Sequence, residues 1–322
     1  MNFNDIKAIV ADEVVITERW LNEKLATNVP LIQQIAEHII QGGGKRIRPI
    51  LTLLTAKALN YQGEAHLLTA VILEYVHTAT LLHDDVVDNS TLRRGKPTAN
   101  NVWDNTASVL AGDFLYSRAF ELMVEINNMQ VMGILAKATN VIAEGEMLQL
   151  GNCFRPETTE QEYLQVIQGK TAQFFEAASQ IPAVLTQASP EVTAQLARFG
   201  MLIGTAFQLI DDVLDYTGNS DTIGKNAGDD LAEGKPTLPL IYAMKNSDAK
   251  ARELIANTIK KGDATQLTEV LKIITECGAL DYTKDIARQY IHDAKHCLYV
   301  LPTSEAKSGL NALAELVIAR LS

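Results

Sequence analysis

Apolar residues recur every three or four positions through most of the chain, and this spacing limits the folds open to it. The stretches LIQQIAEHII, LLTAVILEYVHTATLL and ELIANTIKKGDATQLTEVLKII all have it, whereas sustained alternation of apolar and polar residues is scarce. A period near 3.6 places apolar side chains on one face of an α-helix. The sequence therefore predicts an all-α fold.

Glycine and proline gather in four segments, which predict loops between long helices. The segments are QGGGK (41–45), RRGKPT (93–98), GNCFRPETT (151–159) and TGNSDTIGKNAGDDLAEGKPTLP (217–239). The apolar pattern resumes after each loop, and no linker divides the chain. We therefore expect residues 1–322 to form a single domain, a bundle of about a dozen helices.

Composition and charge narrow the function. Of 322 residues, 47% are apolar and 21% charged, as in ordinary globular proteins. The net charge of −11 argues against nucleic acid as a partner, so a phosphate-bearing ligand would need local cations or metal ions. Acids near the N-terminus, and the lack of an uninterrupted apolar run of about 18 residues, predict a cytoplasmic protein. Three cysteines without CxxC spacing indicate reduced thiols.

One short motif occurs twice. LLHDDVVD (81–88) and QLIDDVLD (208–215) each place a DDxxD pattern at the end of an apolar helical run. Residues four apart share a helix face, so the carboxylates of Asp84 and Asp88 converge, as do those of Asp211 and Asp215. One such motif alone would fit a solvated helix face, but a matched pair favours a compensating cation. Oxygen ligands without histidine or cysteine favour Mg²⁺ or Mn²⁺.

Basic residues lie close to both motifs in the sequence. They are Lys45, Arg46 and Arg48 in GGGKRIRP, Arg93, Arg94 and Lys96 after the first motif, and Lys225 and Lys235 after the second. Flexible glycines followed by guanidinium groups at a helix start form an anion site. Together with the aspartates, these cations predict a diphosphate held by metal ions on one side and basic side chains on the other.

Three further polar residues lie within apolar helical runs. His83 points about 100° around the helix from Asp84, which indicates a packing neighbour and not a ligand. His77, two turns before Asp84, is either a satisfied core histidine or a ligand contact. Lys170, in VIQGKTAQFF, is expected to have an anionic partner.

In combination, these motifs resemble the trans-polyprenyl diphosphate synthase family. GGGKRIRP, DDVVD with RRGKPT, AGDF, GKT, FQLIDDVLD and GKNAGDDLAEGKPTLP occur in the family's order over nearly the whole chain. Within the family, HTATLLHDDVVD and VIAEGEMLQL are most similar to bacterial octaprenyl diphosphate synthases. The resemblance implies an all-α homodimer whose helices surround a deep central cavity.

The same resemblance implies a reaction. Isopentenyl diphosphate would be joined head to tail (1'-4) to an allylic diphosphate such as farnesyl diphosphate, giving all-trans octaprenyl diphosphate for a quinone side chain. Synthases of heptaprenyl, nonaprenyl or geranylgeranyl diphosphate remain alternatives. The implied cofactor is Mg²⁺, as three ions with the allylic diphosphate bound, and Mn²⁺ can substitute. No more than transient membrane contact is expected, for product release.

Roles for individual residues follow from the resemblance. The metal ligands would be Asp84, Asp88 and Asp211, and the wider catalytic set adds Asp85, Asp212, Asp215, Lys170 and Lys225. The allylic diphosphate would contact Arg93, Lys170, Lys225 and Lys235. Isopentenyl diphosphate, in a site without metal, would be held by Lys45, Arg48, His77 and Arg94. The oxygens of Thr171 and Gln208 would face developing positive charge beside the allylic chain.

Small side chains before the first motif bear on product length. Val76, Ala79 and Thr80 stand where short-chain members of the family carry aromatic rings, which predicts an open pocket floor. Elongation would then continue until the tail meets a bulkier residue. Met123 and Phe120 are the candidates, with ordinary core packing as the alternative for each.

Three rival functions explain the sequence less well. An HD-type phosphohydrolase could use His83 and Asp84, but it needs several histidine ligands, and the chain has six histidines in all. A terpene cyclase would lack the second aspartate motif and GGGKRIRP. A regulatory subunit of a two-protein synthase tends to lose the aspartate motifs, and both are intact.

Overall fold

The computed structural model describes residues 1–40, 42–217 and 228–320, and helices dominate it. The α-helices are Phe3–Ile9, Ala11–Glu23, Pro30–Ile40, Ile47–Ala58, Ala65–Val87, Ala99–Val102, Asn105–Glu125, Met129–Asn152, Glu160–Ile167, Gln173–Leu185, Pro190–Thr217, Asp229–Ala232, Leu238–Asn246, Ala249–Lys261, Leu267–Glu276, Ala279–Cys297 and Glu305–Ala319. Short 3₁₀ turns occur at Ala264–Gln266 and Leu298–Val300, and a π-helical turn occurs at Gln168–Ala172. The all-α prediction is confirmed.

The RRGKPT segment, predicted to be a plain loop, is a small hairpin. Leu92–Arg93 pairs antiparallel with Lys96–Pro97, with Leu92 opposite Pro97 and Arg93 opposite Lys96. Arg94 and Gly95 form the turn, with φ of 52° and 74°. Positive φ at both central residues is the geometry of the tightest hairpin turns, which match the twist of the paired strands. Two residues per strand are too few for a period-two signal in the sequence.

The chain divides into two compact units. The first comprises Met1–Thr139, Phe174–Gly200 and Cys297–Leu313, and the second comprises Asn140–Gln173, Met201–His296 and Ala314–Ser322. The organisation of residues 1–322 as one domain stays a prediction beside this division.

The core of the first unit is built around Ala65–Val87, here called the first aspartate helix. It packs against Ile47–Ala58 and Asn105–Glu125. Tyr75 lies fully buried in the middle of the helix, and its hydroxyl donates a hydrogen bond of 2.8 Å to the carbonyl oxygen of Leu21. Each large apolar side chain buried here contributes about 1.5 to 3 kcal/mol to folding.

The first aspartate helix is also the one described helix that is long and apolar enough to cross a membrane. Within its most apolar 18-residue window, 78% is buried inside the protein. Burial on this scale is typical of the core helix of a globular protein.

The core of the second unit gathers buried side chains from several short helices. Leu240, Ile255, Val270 and Ile274 lie in one cluster with Val213. Local signals set the helix ends: Asp248 accepts a hydrogen bond of 2.8 Å from the backbone N–H of Ala251 at the start of Ala249–Lys261. Gly262, at φ 60°, ends the same helix in the left-handed conformation that glycine adopts without strain. The cluster supports residues 201–217, the part of Pro190–Thr217 that carries the second aspartate motif.

Candidate active site

The three aspartates of the first motif have different surroundings. Asp84 and Asp88 are half-buried at the end of the first aspartate helix, whereas Asp85 is 1% exposed. Oδ1 of Asp85 accepts hydrogen bonds from Nη2 and Nε of Arg93, at 2.7 and 2.9 Å. Asp85 therefore anchors the hairpin that follows, and Arg93, predicted to contact the allylic diphosphate, is paired with Asp85.

The hairpin is joined to residues 42–46, here called the glycine-rich loop. The guanidinium of Arg94 lies against Gly44, where an added Cβ would come within 2.7 Å of Nη1. His38 donates a hydrogen bond of 2.8 Å from Nε2 to the carbonyl oxygen of Pro97. A pocket between loop and hairpin is lined by His38, Gly42, Leu81, Asp85, Arg93, Arg94 and Lys96, among others.

The arginines of GGGKRIRP separate into two roles. Arg46, in the left-handed conformation at φ 49°, pairs with Glu74 and donates a hydrogen bond of 2.8 Å to the carbonyl oxygen of Ile40. Arg48 lies on the Phe175 ring, with Cζ 4.8 Å from the ring centroid. Lys45 is exposed. Arg46 thus holds the loop to its surroundings, and it is not one of the two basic residues, Lys45 and Arg48, that were predicted to bind substrate.

His77 is surrounded by positive charge. Its pKa is lowered well below 6.5, first by burial and then by the charges of Arg48, Arg94, Arg93 and Arg46. A neutral imidazole amid four guanidinium groups adds a hydrogen-bonding partner without adding charge. This arrangement suits an anion that carries more than one negative charge.

His83 contacts the neighbouring helix Asn105–Glu125. Its Nε2 lies 3.2 Å from the carbonyl oxygen of Val109 and 3.4 Å from Oδ1 of Asp113. A Cβ on Gly112 would lie 2.3 Å from the same nitrogen, so the glycine of AGDF makes room for this ring.

The residues proposed to set product length all lie in the first unit. Val76 and Ala79 are fully buried, and Thr80 donates a hydrogen bond of 2.8 Å to the carbonyl oxygen of His77. On the neighbouring helix Asn105–Glu125, Met123 is 1% exposed and Phe120 is half-buried. Tyr116, which sequence reasoning missed, lies beside Phe120 at a centroid distance of 6.1 Å.

In the second unit, Asp211 is paired with an arginine from the end of the chain. Oδ1 of Asp211 lies 2.6 Å from Nη1 of Arg320. The same guanidinium covers the Phe207 ring, with Cζ 4.5 Å from the centroid. Arg320 was missed because it stands far along the sequence from either motif.

Asp212 is buried and held from two sides. Its Oδ2 accepts a hydrogen bond of 2.5 Å from the Tyr163 hydroxyl, and its Oδ1 accepts one of 2.8 Å from Nε2 of Gln208. Oε1 of Gln208 accepts a hydrogen bond of 2.9 Å from Thr171. Thr171 and Gln208, both predicted to lie beside the allylic chain, are thus in contact. Asp212 accepts a hydrogen bond from Gln208 and so holds its side chain.

Acidic groups crowd around Asp215. Burial, followed by the charges of Asp230, Asp212 and Asp229, raises the pKa of Asp215 to about 9. Burial, and next the charge of Asp230, raise the pKa of Asp212 well above its usual value. Such mutual repulsion is relieved by a cation.

Lys170 projects from the π-helical turn Gln168–Ala172. Its Nζ lies 2.7 Å from Oε2 of Glu146 and 2.7 Å from Oε1 of Gln149, so Glu146 is the anionic partner expected from the sequence. A Cβ on Gly145 would lie 2.6 Å from the backbone nitrogen of Lys170, so glycine permits this close helix contact. π-turns inside helices are frequent at functional sites.

The two remaining lysines of the predicted site are placed differently. Lys235 is largely buried and pairs with Glu233. Lys225 lies outside the described residues.

Comparison with known proteins identifies the family. A profile of the polyprenyl synthetase family matches residues 29–277. The chain belongs to this family. It is 44% identical over 321 residues to the octaprenyl diphosphate synthase of Escherichia coli K12, covering 99% of both chains. It is 46% identical over 318 residues to an all-trans-nonaprenyl-diphosphate synthase (geranyl-diphosphate specific) of Rhodobacter capsulatus, covering 98% of each.

A solved structure agrees over the full length. The polyprenyl synthase of Caulobacter crescentus CB15, solved with calcium and isoprenyl diphosphate, has a TM-score of 0.96 and 40% identity. The match covers 100% of this chain and 98% of that one. The predictions that this protein is a trans-polyprenyl diphosphate synthase, and therefore an enzyme, are confirmed.

Polyprenyl synthases are generally magnesium-dependent, and the donor set here fits that ion. Among the described residues, no three carboxylate, histidine or cysteine side chains form a ready-made metal cage. Mg²⁺ does not need one, because it keeps several waters and is held by one or two carboxylates together with substrate phosphates. The half-buried Asp84 and Asp88 offer carboxylates of that kind in the first unit.

Proposed function

We propose that this polyprenyl synthase extends farnesyl diphosphate with isopentenyl diphosphate to all-trans octaprenyl diphosphate, using Mg²⁺ or, in its place, Mn²⁺. The full-length similarity to the Escherichia coli octaprenyl diphosphate synthase supports this product. The Caulobacter crescentus relative, solved with a divalent cation and isoprenyl diphosphate, supports the ligand classes. The observation that carries the proposal is that one helix, Ala65–Val87, carries both His77, which lies among the charges of four arginines, and Asp84.

Asp84 and Asp88 follow His77 by seven and eleven residues, so all three lie on one face of the first aspartate helix. Basic groups border one end of this face, and carboxylates occupy the other. We assign the basic end, with Lys45, Arg48, His77 and Arg94, to isopentenyl diphosphate without metal. We assign Asp84 and Asp88, and in the second unit Asp211, to Mg²⁺.

Bound Mg²⁺ would supply positive charge that makes diphosphate a better leaving group. Lys170 and Lys235, with Lys225 by resemblance, bind the negative charge that develops as the allylic carbon–oxygen bond breaks. The double bond of isopentenyl diphosphate attacks the carbocation left behind, and transfer of a proton from the new cation to the released pyrophosphate gives a longer allylic diphosphate. The oxygens of Thr171 and Gln208 face the cation, and buried apolar side chains exclude water that would capture it.

A second copy of the chain is the proposed partner. On helix Asn105–Glu125 of the first unit, Leu110 is 60% exposed and Val124 is 66% exposed, and such apolar exposure favours an interface. Sedimentation should give twice the chain mass of 35.3 kDa. A monomer that retains full activity would contradict the proposed homodimer.

The function is tested by incubating the purified protein with labelled isopentenyl diphosphate, farnesyl diphosphate and Mg²⁺. Products are dephosphorylated and separated by chain length. Eight isoprene units are expected. Nine units, favoured by the similarity to the Rhodobacter capsulatus nonaprenyl synthase, would correct the length. Phosphate release without chain growth would overturn the synthase function.

A further inference from the structure

Tyr163 lies outside the motifs that the sequence predicts to be functional, yet it contacts the second aspartate motif. It sits on helix Glu160–Ile167 and is 5% exposed. Its hydroxyl donates to Oδ2 of Asp212 at 2.5 Å. Since Asp212 also accepts from Gln208, both of its oxygens are engaged. An aspartate held in this way supports its neighbours through hydrogen bonds.

The direction of each hydrogen bond is fixed along this chain of contacts. Nε2 of Gln208 donates to Oδ1 of Asp212 at 2.8 Å, so the group of Gln208 that faces Asp212 is its NH₂. The amide oxygen of Gln208 therefore faces Thr171, which donates to it at 2.9 Å. With its proton committed to Gln208, the Thr171 oxygen presents lone pairs to whatever lies on its other side.

We propose that Tyr163 and Asp212 are positioning residues that hold the Gln208 amide in the orientation that turns the Thr171 and Gln208 oxygens toward positive charge in the allylic substrate. This inference rests on the proposed function, which places a carbocation beside these two oxygens. Oxygen lone pairs stabilise such a cation, whereas N–H or O–H groups aimed at it would oppose its formation. Asp212 thus acts through Gln208 without touching substrate.

Substitution of Tyr163 gives the first test. Y163F removes one hydroxyl and leaves Gln208 less firmly held, so kcat should fall about tenfold while KM for both diphosphates stays within about twofold. Y216F is the matched control, because Tyr216 is another buried tyrosine of the second unit whose hydroxyl pairs with Thr237 at 2.9 Å. Y216F should leave kcat unchanged.

Exchange of Asp212 for asparagine gives a sharper test. In D212N, the oxygen of the new amide accepts the hydrogen bond from the Tyr163 hydroxyl, and its NH₂ then faces Gln208. Gln208 must then flip, which places its NH₂ against Thr171 and reverses the chain of hydrogen bonds. We expect a loss of kcat of about a hundredfold or more, beyond that of Y163F.

The double variant Y163F/D212N separates the effect of the Gln208 orientation from the effect of losing the Asp212 carboxylate. Without the tyrosine proton, the new amide can turn its oxygen back to Gln208 and restore the original direction. The second substitution should therefore recover kcat about tenfold over D212N, although it removes a further hydrogen bond. A purely structural role for Tyr163 predicts the opposite, a double variant that is worse than D212N.

Binding gives a readout that is independent of turnover. The probes are an allylic analogue with an ammonium in place of the cationic carbon, bound with pyrophosphate, and a neutral thiolodiphosphate isostere. The wild-type preference for the ammonium should shrink about tenfold in Y163F and not in Y216F.

The outcomes distinguish the proposed function from the proposed role of Tyr163. No chain growth by the wild-type protein would overturn the proposed function. Growth by the wild type with unchanged kcat and unchanged cation preference in Y163F, or no recovery in the double variant, would overturn only the role of Tyr163. If Y163F failed to fold, kcat of D212N and of the double variant, compared at equal folded fraction, would still test the role of Tyr163. A double variant that did not fold would contradict the expected recovery of kcat.

Discussion

The guanidinium of Arg46 lies against the carboxylate of Glu74, and this contact joins the glycine-rich loop to the middle of the first aspartate helix. Their side chains are 15% and 8% exposed. A pair so little solvated is costly to break, because removal of one partner leaves the other charge buried. The glycine-rich loop, which carries Lys45, and the start of the next helix, which carries Arg48, are therefore held in place without a ligand.

Loss of one partner of this pair should destabilise the protein. We expect R46M or E74Q to lower the free energy of unfolding by about 3 to 5 kcal/mol, measured by urea denaturation. The double variant R46M/E74M should recover much of that loss, because no unpaired charge remains. As a control, K295A breaks the Lys295–Glu315 pair, which is 39% and 61% exposed, and should cost no more than about 1 kcal/mol. Equal losses in all variants would contradict a buried pair.

Substitution of Asp84 should mainly reduce activity, whereas substitution of its neighbour Asp85 should mainly reduce stability. D84N should reduce kcat by about a hundredfold or more with little change in stability, since it removes a proposed metal ligand. D85N should instead lower the free energy of unfolding by about 3 to 5 kcal/mol, because Arg93 loses its buried partner. Steady-state kinetics and thermal unfolding of both variants check this. A stable but inactive D85N would place Asp85 among the metal ligands.

Two glycines of helix Met129–Asn152 should respond oppositely to alanine. At Gly145 a Cβ meets the Lys170 backbone at 2.6 Å, so G145A should displace the π-turn and raise KM for the allylic diphosphate. We expect a stability loss of about 1 to 3 kcal/mol. At Gly133 nothing lies within 4 Å, so G133A should keep its activity and gain up to about 1 kcal/mol from helix propensity. A G145A enzyme with wild-type kinetics would show that the close contact does not position Lys170.

His77 should make stability depend on pH. Because its folded pKa lies below 6.5, the unfolded chain binds a proton that the folded chain does not in the window between the two values. Stability is therefore fully present above pH 6.5 and declines as pH falls through that window. H77Q should flatten the decline below pH 6.5. H66Q should do so too, since burial lowers the pKa of His66, whereas H292Q at an exposed site is the control. A profile unchanged by H77Q would contradict a neutral His77.

Met123 is the stronger candidate for the residue that limits product length. It is 1% exposed and lies on the helix that packs against the first aspartate helix, which carries Val76 and Ala79. M123A should shift products toward longer chains, as judged by chromatography of the dephosphorylated polyprenols. F120A, at a half-buried position, is the companion variant. An unchanged product distribution in M123A would exclude Met123 as the floor.

Periodicity and motifs predicted the helices, the family and the reaction, because these depend on local spacing or on residue order. The resemblance assigned Asp84 and not Asp85 to the metal, but the pairing of Asp85 with Arg93 could not be predicted, since the hairpin of Arg93 is too short to have a pattern. The resemblance assigned Arg48 and not Arg46 to substrate, but it did not predict what Arg46 does, because its buried partner Glu74 reads as part of an apolar helix. Tyr163 was missed for a similar reason: YLQVI is an ordinary core pattern, and its partner Asp212 is distant in sequence.

The π-turn at Gln168–Ala172 holds one residue more than a regular helix requires. Deletion of a single residue there would convert the segment to a continuous α-helix and improve its backbone geometry. Because the bulge absorbs its extra residue within one turn, the same deletion would leave Tyr163 facing Asp212 but would change which side chain of the turn meets Glu146 in place of Lys170. At this point in the chain the shorter sequence would be the better helix and the poorer enzyme.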